Sequence, residues 1–167
     1  GAATLTARGD QRLRGEAHTV NTLAGQFEVA GDLTVQAARV YPTTRSRFRL
    51  RAPGGTLRVA AGGSAAAAPM SVGGALELTA RDIEVAGTLR APLGDLRLQA
   101  DNRLHVASGG VLSTSANGLV LPFGKTQGGD TWVYEPFPGF TEVVKTPPQQ
   151  RVALSADQVE LAAGSLV

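Results

Sequence analysis

The sequence contains no cysteine, which excludes disulfides, thiolate chemistry and metal sites built on cysteine. It has no run of about 18 consecutive apolar residues, so no segment is predicted to cross a membrane as a helix. Lysine is scarce, because 14 of the 16 basic residues are arginine, and the formal net charge is only +2. A charge excess this small does not favour nucleic-acid binding, and we expect none.

Aromatic residues are also few, and five of the eight lie between Leu121 and Phe140. Glycine, by contrast, is abundant at 21 residues, which indicates many turns. A chain of 167 residues has the length of one domain and can bury a core. It begins with Gly1 rather than Met and shows no signal peptide, so we expect a fragment or a processed piece of a longer protein.

Four stretches can be laid over one another: Leu33–Pro42, Leu76–Val85, Leu96–Val106 and Val152–Leu161. They share an apolar-x-apolar-x-Ala pattern, then two or three polar residues, then apolar-x-apolar. A weaker copy runs from Leu5 to Leu13. Leu57, Leu76 and Leu96 begin successive segments that are 19 and 20 residues apart. Each segment alternates with period two, which is the pattern of a half-buried strand.

A period near 20 residues with short strands and no helical pattern indicates a stacked repeat. We therefore predict an all-β fold, a right-handed parallel β-helix (β-solenoid), as a single segment over residues 1–167. About seven layers would give a length on the order of 30 to 35 Å. Eight side chains should be buried inside it: Leu76, Leu78, Ile83, Val85, Leu96, Leu98, Leu104 and Val106.

Other architectures explain the pattern less well. A β-sandwich would join alternating strands by hairpins, but it does not account for the matched segments. Leucine-rich repeats need a recurring Asn and a helical or 3₁₀ return, and calcium-binding β-rolls need a Gly-Gly-x-Gly-x-Asp pattern. Neither signature recurs in this chain.

Two interruptions break the repeat. Residues 60–71 are small and flexible, and we predict a loop there. The second interruption covers residues 119–150 or so. Its glycines, followed by the strand-like Thr131–Tyr134, predict a β-hairpin pushed out of the wall. Four prolines beyond the hairpin, the first at Pro136, predict a stiff, extended return.

The large rings of the second interruption do not suit the narrow interior of a β-helix, so we expect them outside it. They are Trp132, Tyr134, Phe137 and Phe140. In one interpretation they form a self-packed flap over an apolar strip of the body. In the other they form an exposed patch that stacks on sugar faces or on a partner protein. We favour the flap.

The stretch GLVLPFGKTQGGDTWVYEP (118–136), followed by PPQQRVALSADQVELAAGS (147–165), resembles the large exoproteins of the filamentous haemagglutinin family. These proteins are exported by two-partner secretion in Gram-negative bacteria. Residues 1–115 share only the generic β-helical repeat with that family. The resemblance implies a long extracellular β-helical fibre, with adhesion or surface attachment as its role. It carries over no catalytic residue.

The sequence shows no constellation for catalysis. Its best local carboxylates fall at turns or outward strand positions: Asp82, Glu84, Asp95 and Asp101. A glycosidase needs two carboxylates that face each other across a cleft, and nothing in this spacing demands that. His18 and His105 lie far apart, so we infer no metal site. We predict no enzyme and no cofactor, and the alternative is a polysaccharide-binding or polysaccharide-processing β-helix protein.

Arginine occupies every second position of one strand-like segment: Arg45, Arg47, Arg49 and Arg51. In a strand these side chains should share one solvent-facing side, about 7 Å apart, and Arg58 on a neighbouring strand could widen the strip. The simpler interpretation is a solvated face that discourages edge pairing. The alternative is a binding strip for sulfated or otherwise anionic glycans, since arginine binds such groups bidentately.

Together these observations predict a secreted rod, extracellular or attached to the bacterial outer surface. Its partner would be a glycan or protein of a host or bacterial surface. Terminal layers of a stacked repeat expose unpaired backbone groups unless they are capped, and no capping helix is predicted at either end. We therefore also expect end-to-end self-association.

Overall fold

The computed structural model describes residues 1–19, 22–64, 68–119 and 124–167, except the side chains at 18, 19 and 22. Within these residues the chain is all-β, and no helix there could cross a membrane. The strands are β1 Ala3–Thr6, β2 Asp10–Leu13, β3 Glu16–Thr19, β4 Thr22–Glu28, β5 Leu33–Ala37, β6 Arg39–Pro42, β7 Ser46–Ala61, β8 Ala75–Val85, β9 Thr88–Arg90, β10 Asp95–Val106, β11 Val111–Ser113, β12 Gly124–Gln127, β13 Thr131–Tyr134, β14 Glu142–Val144, β15 Arg151–Ser155 and β16 Gln158–Leu161.

A nine-stranded sheet carries the repeat. Its central path runs in the order β1-β5-β7-β8-β10-β15, and every neighbouring pair on this path is parallel. The long strands have two halves with separate partners. The first half of β7 pairs with β4 and its second half with β5, while β10 pairs with β15 and then with β16. This parallel pairing confirms the predicted all-β, parallel character and is not the hairpin-joined arrangement of a β-sandwich.

A second, four-stranded sheet has the order β11-β9-β6-β2, and its pairs are also parallel. The chain passes repeatedly from the first sheet to the second, for example from β8 to β9 and from β10 to β11. The second sheet contributes Leu13, Val40, Leu89 and Leu112 to the same hydrophobic core as the first. We call these two sheets with their shared core the body.

The eight side chains predicted to be inside are all buried, each at most 1% exposed. They stack in register, because Leu96 lies between Leu76 and Val152, and Leu98 lies between Leu78 and Leu154. Equivalent residues of successive layers therefore contact one another. None of these eight side chains is larger than leucine, which suits layers about 4.8 Å apart.

In the first half of the chain the strands align differently from the prediction, which placed Leu33 and Leu57 at positions equivalent to Leu76. Leu33 pairs with Leu57, which pairs in turn with Ile83, so both leucines belong to the second half of a layer. Phe48, rather than Leu57, is the neighbour of Leu76. The two halves of a layer have the same apolar-x-apolar pattern, and the sequence alone does not distinguish them. The central path contains six strands instead of the predicted seven layers, which at about 4.8 Å per layer gives a length of about 29 Å.

The predicted loop at residues 60–71 begins later, because β7 continues to Ala61 and β8 starts only at Ala75. Residues 65–67 of this loop lie outside the described residues. The Ser71 hydroxyl donates a hydrogen bond to the Pro42 carbonyl at 2.5 Å, and Tyr41 beneath is only 2% exposed. The loop therefore lies against β6 of the second sheet.

Candidate functional site

A small antiparallel sheet is inserted in the chain between β11 and β15 of the body, with the order β12-β13-β14. We call residues 124–144 the aromatic module. β12 and β13 form a hairpin whose turn places Gly128 and Gly129 at φ values of 63° and 83°. The first strand of the hairpin is described from Gly124, and residues 120–123 lie outside the described residues. The third strand, β14, lies in the segment predicted as an extended return.

The four predicted aromatic residues come together in this module. Trp132 stacks on Tyr134 with ring centroids 5.4 Å apart. Phe140 meets the Tyr134 ring edge-on at 6.2 Å and the Phe137 ring at 5.3 Å. Such offset and edge contacts are the preferred geometries of aromatic pairs. The module thus holds a ring cluster of its own.

The cluster rests on the body through Leu23 of β4, which is 6% exposed. Tyr134 and Phe140 are buried, at 5% and 3%, whereas Trp132 and Phe137 are half-buried. Burial raises the pKa of the Tyr134 phenol above its usual 10.0. This packing agrees with the flap interpretation, and ligand binding by the rings stays a prediction.

Gly124 makes the stacking geometry achievable. The Trp132 indole lies over this glycine, and a Cβ added there would fall 1.7 Å from the indole Nε1. No side chain could be accommodated at that position unless the ring moved away. The glycine in front of the Thr-Gln-Gly-Gly turn is therefore a requirement of the ring cluster.

Arg45 departs from the predicted row of arginines. It precedes β7, adopts a left-handed backbone conformation with φ 57°, and forms an ion pair with Glu142 of β14. Both side chains of this pair are partly shielded, at 27% and 19% exposure. The residue predicted to begin a solvent-facing strip instead ties the aromatic module to the body.

The other arginines do face solvent from the strands, but carboxylates on adjacent layers neutralise most of them. Arg49 pairs with Glu77 at 3.4 Å, Arg51 with Glu28 at 2.8 Å. Arg58 pairs with Glu84 at 2.9 Å in the second half of the layer. In each case the two residues are directly opposite in the strand register. The charges along β7 are therefore all positive, whereas positive and negative side chains are opposite one another on adjacent layers.

Arg47 is the exception. Its direct neighbours in the register are Ala24 on β4 and Ala75 on β8, neither of which can accept a hydrogen bond through its side chain. Within the described part of the chain, no carboxylate lies within ion-pair distance of Arg47. Its side chain is exposed.

Arg47 opens onto a groove of about 1050 Å³ between the outer face of the large sheet and the segment that returns from the aromatic module. Strand residues form its floor and the segment around Glu142 and Gln149 forms its roof. Its polar side chains include Gln26, Arg45, Arg47, Arg49, Glu77, Asp95, Arg97, Glu142 and Gln149. Sequence patterns do not predict this groove, because the lining residues Arg45 and Glu142 are 97 residues apart along the chain.

The carboxylates considered as catalytic candidates are mostly held by cations or amides. Asp82 accepts hydrogen bonds from Arg81 at 2.8 Å and from Asn102 at 2.7 Å, and these lower the pKa of its carboxyl group. Asp95 accepts from both Arg97 and Arg151 at 2.9 Å.

Glu84 is engaged by Arg58, and Asp101 is exposed. The lowered pKa of Asp82 makes this carboxylate poorly suited to donate a proton at neutral pH. His105 lies 4.0 Å from Glu160, and the side chain of His18 is outside the described residues. The described residues contain no group of three or more side chains arranged to hold a metal ion.

A partly buried ion pair on the second sheet was not predicted. Arg39 of β6 donates from Nε and Nη2 to the two Asp10 oxygens of β2, at 2.8 and 2.7 Å. The Tyr41 hydroxyl donates to the same carboxylate at 3.2 Å. The hydrogen bond to Asp10 raises the pKa of Arg39, and burial raises that of Tyr41. Only the strand register, which joins residues 29 apart, reveals this cluster.

The chain matches no protein-family model, no curated protein and no solved structure. The resemblance between residues 118–165 and the filamentous haemagglutinin family therefore stays an interpretation of the sequence.

Proposed function

We propose that this chain is a right-handed parallel β-helical segment of a secreted, surface-attached fibre of the filamentous haemagglutinin type. In this role it is a stiff rod that takes part in adhesion or surface attachment and presents the aromatic module on its side. The partner is a glycan or protein of a host or bacterial surface. The role of the rod itself is structural.

The observation that supports this proposal is the register of the layers. Phe48, Leu76, Leu96 and Val152 are successive partners across four parallel strands. The chain leaves the large sheet, enters the second sheet and returns to the neighbouring parallel strand. Such crossovers between parallel strands are almost always right-handed, which favours the proposed hand.

Stiffness follows from the same register. In each layer the backbone hydrogen bonds run along the stacking direction, and identical apolar positions pack on one another. Opposite charges face each other on the outside, as in the directly opposed Arg58 and Glu84 of adjacent layers. Adding a layer repeats these contacts without any new interaction, so a body of this kind can be extended to a fibre.

End-to-end association is part of the proposal. Val159 and Leu161 of β16 stack on Leu104 and Val106, yet they are 47% and 51% exposed. Covering them with a further layer would remove apolar surface from water and pair the free strand edge. A second copy of the chain is one source of such a layer.

Adhesion can be tested with beads that carry the purified chain. We expect saturable retention on epithelial or bacterial cell surfaces, above that of beads carrying an unrelated protein of similar charge. The matched control is Leu78→Asp, which places a charge at a fully buried position and should abolish folding and retention together. Equal retention of the native chain and the unrelated protein on every surface would contradict the proposal.

Polysaccharide binding is a second candidate function. The specific observation in its favour is the open, polar groove beside the aromatic module. Its volume is at the upper end of the range typical of ligand sites. The two functions are compatible, because an adhesive rod needs a surface that recognises its target.

A further inference from the structure

Within the predicted strip of arginines, charge is distributed unevenly. Four of the five residues have a carboxylate partner: Arg45, Arg49, Arg51 and Arg58. Each partner cancels most of the local charge and accepts a hydrogen bond from one guanidinium nitrogen. An external anion would have to compete with these partners, so the strip as a whole is a poor anion site. Arg47 alone offers a guanidinium group that no carboxylate of the described residues engages.

The strand register explains why this group is free. Ala24 and Ala75 lie on either side of Arg47. The nearest acid in the same column is Asp95, two strands away at about 9.6 Å along the stacking direction. Asp95 is itself held by Arg97 and Arg151. No internal rearrangement within this column supplies a counter-charge without breaking another pair.

A second unmet donor lies at the same place. The Nε of Arg45 is buried and has no hydrogen-bond partner among the described residues, although its other guanidinium nitrogen binds Glu142. Arg45 and Arg47 both line the groove of about 1050 Å³. Because this Nε is buried, a ligand reaches it only if the Arg45 side chain moves, and the exposed Arg47 is the group that can pair directly with an anion.

We propose that this groove binds an extended saccharide bearing carboxylate or sulfate groups, with one such group paired to Arg47. The other walls suit the hydroxyls of the neighbouring sugars. Gln26 and Gln149 offer amide donors and acceptors, and Glu77 accepts hydrogen bonds. Arg47 has no carboxylate partner, so the ligand needs one anionic group to pair with it. The other lining residues include both positive and negative side chains, so the ligand need not be a polyanion.

The floor of the groove argues against a peptide as the ligand. Its residues on β7, β8 and β10 belong to strands that are paired on both sides, so these three strands offer no free edge to a peptide backbone. The lining is dominated by planar polar side chains rather than by pockets for apolar anchors. A chain rich in hydroxyl groups fits this lining better.

The test is a titration of the 167-residue chain at low salt with four probes. These are an oligogalacturonate, a heparin-derived oligosaccharide, neutral dextran and poly-glutamate. We expect binding of at least one anionic saccharide, with Arg47→Ser weakening it about tenfold or more, since a charge-assisted pair is lost. Arg47→Lys should retain part of the affinity, because it keeps the charge but not the fork.

The matched control is Arg51→Ser. It removes the same charge from the same face of the same strand, but Arg51 is paired with Glu28 and lies outside the groove. We expect a change of about twofold or less in this variant, because its charge is already neutralised. Comparison of the uronate and sulfate probes identifies the source of the anionic group.

Three results would overturn the inference: no binding of either anionic saccharide, equal weakening by Arg47→Ser and Arg51→Ser, or equally tight, Arg47-dependent binding of poly-glutamate. The inference rests on the proposed surface role and names a ligand class for it. Its failure is nevertheless separable from failure of that role. Beads carrying Arg47→Ser that still adhere would leave the adhesive rod intact and remove only the groove.

Discussion

The body and the aromatic module solve the problem of burial in opposite ways. The body stacks parallel strands that are distant in sequence, and its inward leucines and valines are almost completely buried. The module is a local antiparallel sheet of three short strands with only two buried rings, Tyr134 and Phe140. The first gains its stability from many equivalent small contacts, and the second from a few large aromatic ones.

This difference makes the module dependent on the body. Three short strands are at the limit of independent stability, and among the described residues the buried ring cluster includes Leu23 of β4 from the body. The body receives nothing comparable in return, since its core contains no ring from the module. We therefore expect loss of the module to be tolerated by the body, whereas loss of the body should unfold the module as well.

The largest expected effect comes from the body. Leu78→Ala should lower the free energy of unfolding by about 2 to 5 kcal/mol, because it leaves a cavity between Leu50 and Leu98 that stacked layers cannot easily close. Urea unfolding followed by far-ultraviolet circular dichroism measures this. Leu161→Ala is the matched control, since its side chain is 51% exposed, and it should cost less than about 1 kcal/mol. Equal costs would mean that the layers are not rigidly stacked.

Phe140→Ala should break the module without breaking the body. The ring is 3% exposed and contacts both Tyr134 and Phe137. Its loss should cost the module about 3 kcal/mol. Trp132 is the only tryptophan and lies in the cluster, so its fluorescence should shift to the red and become easier to quench. The circular dichroism of the body should hardly change.

A control for this variant is Val143→Ala, at an exposed position of the same small sheet. It should leave the tryptophan spectrum unchanged. If Phe140→Ala instead abolished the β-sheet signal of the whole chain, the body would depend on the module. That result would contradict the inference that the module depends on the body but not the body on the module.

The body was more predictable from sequence than the module, for a physical reason. In a stacked repeat the same apolar-x-apolar pattern recurs in every layer, so buried positions can be predicted from sequence. The eight predicted core residues are all buried. What the pattern did not fix is the phase, because both halves of a layer read alike, and Leu33 therefore pairs with Leu57 rather than occupying the position of Leu76.

The candidate site was harder to predict because it is made by contacts between distant segments. Arginine at every second position correctly indicated exposed side chains for Arg47 and Arg49. The carboxylates that neutralise the row lie 23 to 28 residues away along the chain. The Arg45–Glu142 contact spans 97 residues. Only the register of the strands shows which arginine is paired and which is free.

The contact between the two regions can be weakened directly. Glu142→Gln removes the carboxylate that holds Arg45, and leaves a partly shielded guanidinium without its counter-charge. We expect a loss of about 1 to 2 kcal/mol in attachment of the module, between the values for exposed and buried pairs. Hydrogen exchange of β13 and β14 measures this attachment, and faster exchange confined to these strands is the expected result.

Glu135→Gln is the corresponding control. It breaks the Lys125–Glu135 pair, which is within the module and well exposed at 57% and 45%. This change should have little effect on exchange. If both substitutions accelerated exchange equally, the Arg45–Glu142 pair would have no special part in holding the module against the body.

The smallest expected effect concerns the charged outer face of the body. Arg81 and Asn102 lower the pKa of Asp82, so its charged form is favoured in the folded state. Such a carboxylate stabilises the fold at pH values above about 3.9, which is its pKa in the unfolded chain. This contribution is lost as the pH falls through the lower pKa that the group has in the folded state. Because the pair is close to solvent, the contribution should be only several tenths of a kcal/mol. Urea midpoints at pH 7 and pH 3 should therefore differ slightly less in Asp82→Asn than in the native chain. A larger pH response in Asp82→Asn would mean that the carboxylate destabilises the layers, and the outer charges would then oppose the stacking that the core provides.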